Sequence, residues 1–545
     1  MKKITWLLSI IFASAIVLSA CGTFNKGKEE GGGAEGEGAK QELRINISSE
    51  PPTLHPGLAT DSTSGVVLTH AFEGLTRINK NGEAEEAMAE KIDVSEDGKT
   101  YTFTIRDAKW SNGDPVTAHD FEYAWKWVLV PGNQSDYASQ IYNYVEGAKN
   151  AYDTPDISID KMGNVGVKAI DDKTLEVKLV NPTAYFLELT AFYTYYPVNS
   201  KIAKDKPDWA NRVDESYVSN GPFVITDKSA TITLEKNKDY WDADSVKLAK
   251  ITMDMINDPS TEYQSFKKGE LDWAGAPMSS LPTDVIPTLE KEGTLQKRSI
   301  AGTYWYKFNI NKEPFQNENL RKALAYSIDR KAIVDNVALG GQIPAMALVP
   351  TAILKENEKG YFKDNDVDAA KDHLQKALDE LGLSDVSELP AIALSYNTSE
   401  GHQKIAQAIQ DMWRKNLGVN VTLNNAEWTV YLDNIDTGNF QIGRAGWLAD
   451  FNDPVNFLEI YTVPQGNNDT GWTNETFNNL LSQAAKETDK DKRLGLLKEA
   501  EQLVISEMPI APIYFYTNNW VQNDHLKGVV ISPLGDAQFK WAYFE

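Results

Sequence analysis

The chain has 545 residues and a formal net charge of −24, with a pI near 4.8. That length implies more than one domain and a core large enough to need no metal or disulfide staple. The acidic excess speaks against nucleic acid as a partner. The single cysteine excludes a disulfide framework and a thiolate metal site.

Met1, Lys2 and Lys3 form a short basic start, followed by an apolar run over residues 4–18. The run is too short for a comfortable membrane span and fits a signal sequence. It ends in Leu18-Ser19-Ala20-Cys21, which resembles a bacterial lipobox. The resemblance implies cleavage after residue 20 and lipidation of Cys21, with an ordinary signal peptide as the alternative. Residues 21–41 then read as a lipid-bearing cysteine and a Gly/Glu-rich tether that cannot build a core. A multiply acylated cysteine holds a protein to a bilayer, so the expected location is the outer face of the cell membrane. No later apolar run is long enough to span it.

The body of the chain reads as α/β. Leu43, Ile45 and Ile47 alternate with polar residues, as in a half-buried strand, and residues 101–105, YTFTI, do the same. Thr117 and Asp120 have the spacing of a capping box, and Phe121, Ala124, Trp125 and Val128 continue it at helical spacing. Leu320, Leu324 and Ile328 mark a second helix. Ile405, Ile409, Met412 and Trp413 mark a third that stops at Gly418, with a strand carrying Val419, Val421 and Leu423 after it. In residues 443–454, GRAGWLADFNDP, Asp453 and Pro454 start another helix. Asp450 is not needed for that cap. It sits between Trp447 and Phe451, and a carboxylate among aromatics needs a partner. On a strand, Arg444 and Trp447 fall on opposite faces.

Motifs for catalysis are missing. The sequence has no phosphate-binding G-x-x-x-x-G-K-[ST] loop, no G-x-G-x-x-G turn and no G-x-S-x-G elbow. None of the six histidines is spaced as a helical metal pair. The expectation is no enzyme, no cofactor and no metal. A pair of carboxylates of the kind glycosidases use stays open, since an acidic chain offers many.

The run AEKIDVSEDGKTYTFTIRDAKWSNGDPVTAHDFEYAWKW, within residues 84–127, resembles the signature of family 5 extracellular solute-binding proteins, the peptide-binding components of bacterial ABC importers. Further matches are FEGL at 72–75, SNGPF at 219–223, LEKNKDYWD at 234–242, GELDWAG at 269–275, RKALAYSIDR at 321–330 and APIYFY at 511–516. The chain is most similar to the oligopeptide-binding lipoproteins of Gram-positive oligopeptide permeases. One departure, a missing residue between Asp107 and Lys109, shortens a turn.

The resemblance implies a two-lobed clamshell with an additional third domain. Lobe I would be 42–72, 197–301 and 506–545, the extra domain 73–196, and the second lobe 302–505. It implies capture of oligopeptides between the lobes and delivery to a membrane-embedded ABC permease. The family's aspartate for the peptide amine matches Asp450, and Trp447 and Gly446 lie on the strand that offers its backbone to the peptide. Trp428 and Tyr137 match walls of side-chain pockets, and Asn397 matches a polar contact near the bound chain. Arg444 and His402 match positions that can meet the peptide carboxylate. Ala338 stands where other members carry a lysine for that purpose. Dipeptides, a nickel chelate, haem or an oligosaccharide are alternative cargoes on the same fold. A surface-anchored hydrolase is the alternative of a different class.

Overall fold

The computed structural model describes residues 40–545 apart from 80–82, 184, 465, 488 and 533. The leader read at 1–20, Cys21 and the tether up to residue 39 lie outside the described residues. No helix among those described is long and apolar enough to cross a membrane.

The first strand, Glu42–Asn46, buries Leu43 and Ile45 completely, as their alternation requires. It pairs in parallel with Lys250–Asp254, which continues antiparallel to Ile232–Lys236 and then Phe223–Lys228. A second four-stranded sheet lies within residues 89–178, in the order Ala89–Val94, Thr100–Ile105, Thr174–Lys178, Val167–Ala169. Tyr101, Phe103 and Ile105 are its buried face. Helix Ala118–Val128 covers it, started by Thr117, whose backbone N–H donates to Asp120 Oδ2 at 2.9 Å. These two sheets share one continuous hydrophobic core.

A separate core forms around a seven-stranded sheet. Two strands of that sheet, Gln296–Phe308 and Ile510–Gln522, are each 13 residues long and pair antiparallel in two blocks. Gln296 to Ser299 pair with Trp520 to Thr517, and Thr303 to Lys307 with Phe515 to Ile510, with a register shift between the blocks. Trp520 packs in the first core, whereas Tyr304, Tyr306, Phe308 and Ile513 pack in the second. The two lobes of this α/β clamshell are therefore joined by one pair of long strands that passes from the first core into the second.

Helix boundaries follow their caps. Asn317 Oδ1 accepts from Leu320 N at 2.9 Å to start Glu318–Tyr326. Ile328 lies beyond that helix although it is fully buried, because Asp329 caps a new helix at Arg330–Ile333. Helix Glu400–Leu417 stops at Gly418, at φ 73°, where glycine takes the left-handed conformation without strain. The next strand is Val421–Ala426, so Val419 precedes it rather than belonging to it.

Candidate functional site

Between the lobes lies a cavity of about 580 Å³. Its wall includes the strand Ile442–Leu448. One edge of this strand pairs along its whole length with Gln296–Phe308, Ile442 opposite Phe308 and Leu448 opposite Gly302. The other edge pairs with strand Ile392–Asn397 only at Ile442 and Gly443. Residues 444–448 thus have one edge with no strand partner. Ala449 donates to Ala301 O at 2.8 Å, toward the paired strand. Alternation then turns Trp447 and Ala445 the same way, and Gly446 and Leu448 present their amide and carbonyl groups to the free edge. A bare edge of this kind is a template for another extended chain.

Just past the strand sits Asp450. Its Oδ2 accepts from Gln140 Nε2 at 2.8 Å and from Asn456 Nδ2 at 3.3 Å. No cation pairs with it among the described residues. Burial pushes its carboxyl up to about 7, against the hydrogen bond from Asn456, with Asp536 adding repulsion. Asn456, itself 1% exposed, also accepts from Trp447 Nε1 at 2.9 Å and from Asp450 N at 3.1 Å. One buried amide therefore fixes both the indole and the carboxylate. Asp453 is differently employed. It accepts from Val455 N at 2.9 Å ahead of helix Val455–Leu458, and both its oxygens pair with Arg493, at 2.7 and 2.9 Å. It does not line the cavity.

On the opposite side of the strand, Arg444 lies in a nest of tyrosines. Nη2 donates to Tyr516 Oη at 2.9 Å, and Nη1 reaches Asn397 Oδ1 at 3.5 Å. Its guanidinium carbon is 4.8 Å from the Tyr304 ring centre, a cation–π contact. Nε has no partner, and no carboxylate pairs with this arginine among the described residues. Gly446 makes the nest possible: a Cβ there would stand 2.3 Å from Tyr516 Oη. His402, in the first turn of Glu400–Leu417, contacts Tyr304 Oη through Nδ1 at 3.3 Å. Burial, reinforced by Arg444, holds its pKa well below the usual imidazole value, so it is neutral at pH 7.

All eight residues singled out from sequence, Tyr137, Asn397, His402, Trp428, Arg444, Gly446, Trp447 and Asp450, line this one cavity. Arg444 and Trp447 do lie on opposite faces of their strand, yet both reach the cavity because the free edge between them opens into it. Tyr137 is 4% exposed and packs its ring 6.0 Å from that of Trp447. Trp428 Nε1 contacts Asp61 Oδ1 at 3.4 Å across the cleft, and Lys404 Nζ reaches Thr283 Oγ1 at 2.8 Å. The lobes are therefore closed on one another. Ala338 lines the cavity without contributing a charge. Sequence reasoning missed Asn456, Gln140, Asp61 and Tyr516. Asp61 carried a readable signal, since it caps helix Ser62–Ala71 by accepting from Ser64 N at 3.0 Å. Gln140 and Tyr516 act across long sequence separations that no local pattern marks, whereas Asn456 lies only six positions from Asp450, on a single helical turn without a periodic pattern.

Residues 83–469 match the family described as bacterial extracellular solute-binding proteins, family 5 Middle. The chain is 56% identical to the oligopeptide-binding protein OppA of Bacillus subtilis (strain 168), over 100% of both chains. The crystal structure of Haemophilus influenzae OppA in complex with the peptide RPPGFSPFR superposes with a TM-score of 0.86 at 30% identity, over 93% of this chain and 99% of that one. The unliganded open form of the murein tripeptide-binding protein MppA, 31% identical over 93% and 98%, gives only 0.61. That contrast agrees with the closed contacts across the cleft.

Proposed function

The chain belongs to the family 5 bacterial extracellular solute-binding proteins, and we propose that it captures oligopeptides between its lobes and hands them to an ABC import permease. The observation that carries this reading is the strand edge free at residues 445–448, past Arg444 whose carbonyl accepts from Tyr431 Oη at 2.6 Å, flanked by a carboxylate without a cation and a guanidinium without an anion. A zwitterionic peptide supplies what each lacks. Its backbone extends the sheet, its ammonium meets Asp450 and its carboxylate meets Arg444. Backbone pairing reads no side chain, so many sequences fit one site. Residues 444–448 cover roughly 13 Å at strand rise, the length of about four residues. A tetrapeptide is therefore a suitable probe, one whose backbone spans this edge.

Closure follows from contacts on both sides of the cleft. A ligand touching both lobes favours the closed state by its extra affinity for it, and the long paired strands that pass between the two cores are the natural pivot. We place lobe I at 42–72, 197–301 and 506–545, the extra domain at 73–196 and the second lobe at 302–505. The cargo leaves chemically unchanged, as in a carrier rather than an enzyme. Cys21 is the lipid attachment point that keeps the protein on the outer face of the membrane, near its permease, with a tether from residue 22 that ends where Gln41 docks on Phe544 and Ala249. No cofactor or metal is required by this scheme.

Native mass spectrometry of protein purified without denaturant tests the reading. Bound masses should resolve into mixed short peptides released on unfolding. A single non-peptide mass, or a peptide hydrolysed on incubation, would contradict it.

A further inference from the structure

Three consecutive residues just past the free strand edge are each held from the far side of the cleft. Gln140 Nε2 donates to Asp450 Oδ2 at 2.8 Å. Tyr185 stacks on Phe451, with ring centres 4.3 Å apart and planes 5° apart. Glu188 Oε2 accepts from Asn452 N at 3.0 Å. Gln140, Tyr185 and Glu188 fall in the extra domain proposed at 73–196, and residues 450–452 in the second lobe. Phe451 is fully buried, and it packs in the first core, although Ala449, Phe457 and Leu458 around it in sequence pack in the second. One aromatic ring of the second lobe is thus seated in the core across the cleft.

The same stretch is tied to its own lobe as well. Asn456 Oδ1 accepts from Asp450 N at 3.1 Å, and Arg493 pairs with Asp453. Residues 450–453 therefore bridge the two sides. Drawing the lobes apart must pull Phe451 from its seat into water and strip Gln140 from Asp450 in the same movement. Neither Tyr185 nor Phe451 lines the cleft cavity, so their effect on cargo passes through the adjacent Asp450.

Resting on the peptide-binding reading above, we propose that Tyr185 is a positioning residue: by seating Phe451 in the extra domain it sets the neighbouring Asp450 carboxylate for the peptide amine and makes amine recognition and closure one event. A ligand shifts a conformational equilibrium only by its differential affinity for the two states. An ammonium on Asp450 has that differential affinity, because the carboxylate takes its final hydrogen bonds only when Phe451 is seated. The extra domain then has a task beyond walling the cleft. Its ring stack is separable from its hydroxyl chain, in which Tyr185 Oη donates to Tyr144 Oη at 3.4 Å and Tyr144 Oη to Glu459 Oε2 at 2.8 Å.

The test compares a free-amine tetrapeptide with its N-acetylated form by calorimetry on the unmodified protein, Tyr185→Leu and Tyr185→Phe, with small-angle X-ray scattering of the peptide-saturated samples. Tyr185→Leu removes the stack. It should cut the ratio of free-amine to acetylated affinity at least threefold, and its saturated form should have a larger radius of gyration than the unmodified protein. Tyr185→Phe keeps the ring and should keep the ratio within twofold. Phe451→Leu gives the same readout if Tyr185→Leu folds poorly. Equal weakening of both peptides marks a merely structural role and overturns the proposal, as does a ratio that neither leucine variant changes. If the unmodified protein binds neither peptide, or binds both alike, the assignment of the peptide amine to Asp450 falls and the positioning role with it; a protein that discriminates but keeps its ratio in the variants overturns the positioning role alone.

Discussion

Replacing Asp450 by Asn removes a charge and keeps the shape. The Asn side-chain oxygen can still accept from Gln140, which now donates to Asp450 Oδ2 at 2.8 Å, and Asn456 still holds the backbone N–H of residue 450 at 3.1 Å. Packing should survive, and the melting temperature of the peptide-free variant should not fall. Binding should suffer, because the carboxylate has no cation of its own and the peptide ammonium is assigned that place. A hydrogen bond to a charged group contributes about 1.5–3 kcal/mol, so affinity for a free-amine tetrapeptide should drop roughly ten- to a hundredfold. N-acetylation removes the ammonium from the other side. The acetylated peptide should bind the unmodified protein poorly, and the substitution should change its affinity little. Calorimetry on two proteins and two peptides closes the cycle, and the two effects should not add. Equal weakening of both peptides would show that residue 450 acts through structure, and would refute the pairing.

The same burial predicts a pH dependence of stability. Asp450 and Asp436 are lifted to about 7 and Glu459 to about 8, all above their unfolded values near 4. Their contribution is complete below about pH 4 and is lost as pH climbs through 7 to 8. The peptide-free protein should melt at a lower temperature at pH 8.5 than at pH 6, with bound peptide narrowing the difference; a flat profile in differential scanning calorimetry contradicts this. Arg444→Gln should weaken a tetrapeptide with a free carboxylate roughly ten- to a hundredfold, and its C-terminal amide much less. Gly446→Ala drives a methyl group into Tyr516 Oη and dislodges the hydroxyl from Arg444, so tetrapeptide affinity should fall several-fold, as expected for losing a bond of about 1 kcal/mol. Cys21→Ala should shift the protein to the medium or leave an unprocessed precursor, read by fractionation and immunoblot; mature protein retained at the membrane would exclude the lipid anchor.

Much of this architecture can be read locally. Alternation at Leu43 and Ile45 and the cap at Thr117 and Asp120 state their elements because period and capping act over a few residues. The ends are less legible. Ile328 continues a helical pattern, but Asp329 and its bond to Ala332 N restart the chain one residue on. At the site, residue type and resemblance single out Asp450, Arg444 and Trp447. Their organisers stay hidden. Gln140 reaches Asp450 across 310 positions, and Tyr516 reaches Arg444 across 72. The free edge itself depends on where strand Ile392–Asn397 stops pairing, which is a property of two strands and not of either sequence. Asp453 shows the reverse. A turn at Asp453 and Pro454 is legible, but Pro454 rather than Asp453 takes the cap position of Val455–Leu458, and the pairing of Asp453 with Arg493 is not legible.

Backbone pairing along residues 444–448 is the central claim, and an N-methyl scan of a bound tetrapeptide tests it most directly. Only alternate residues of a strand bond to a given neighbour, so methylation should cost at least roughly fivefold at the residues facing the edge, for each hydrogen bond of about 1 kcal/mol lost, and little between them. Calorimetry showing that alternating pattern is the predicted result. Equal tolerance of methylation at every position would mean that the cargo does not extend this sheet.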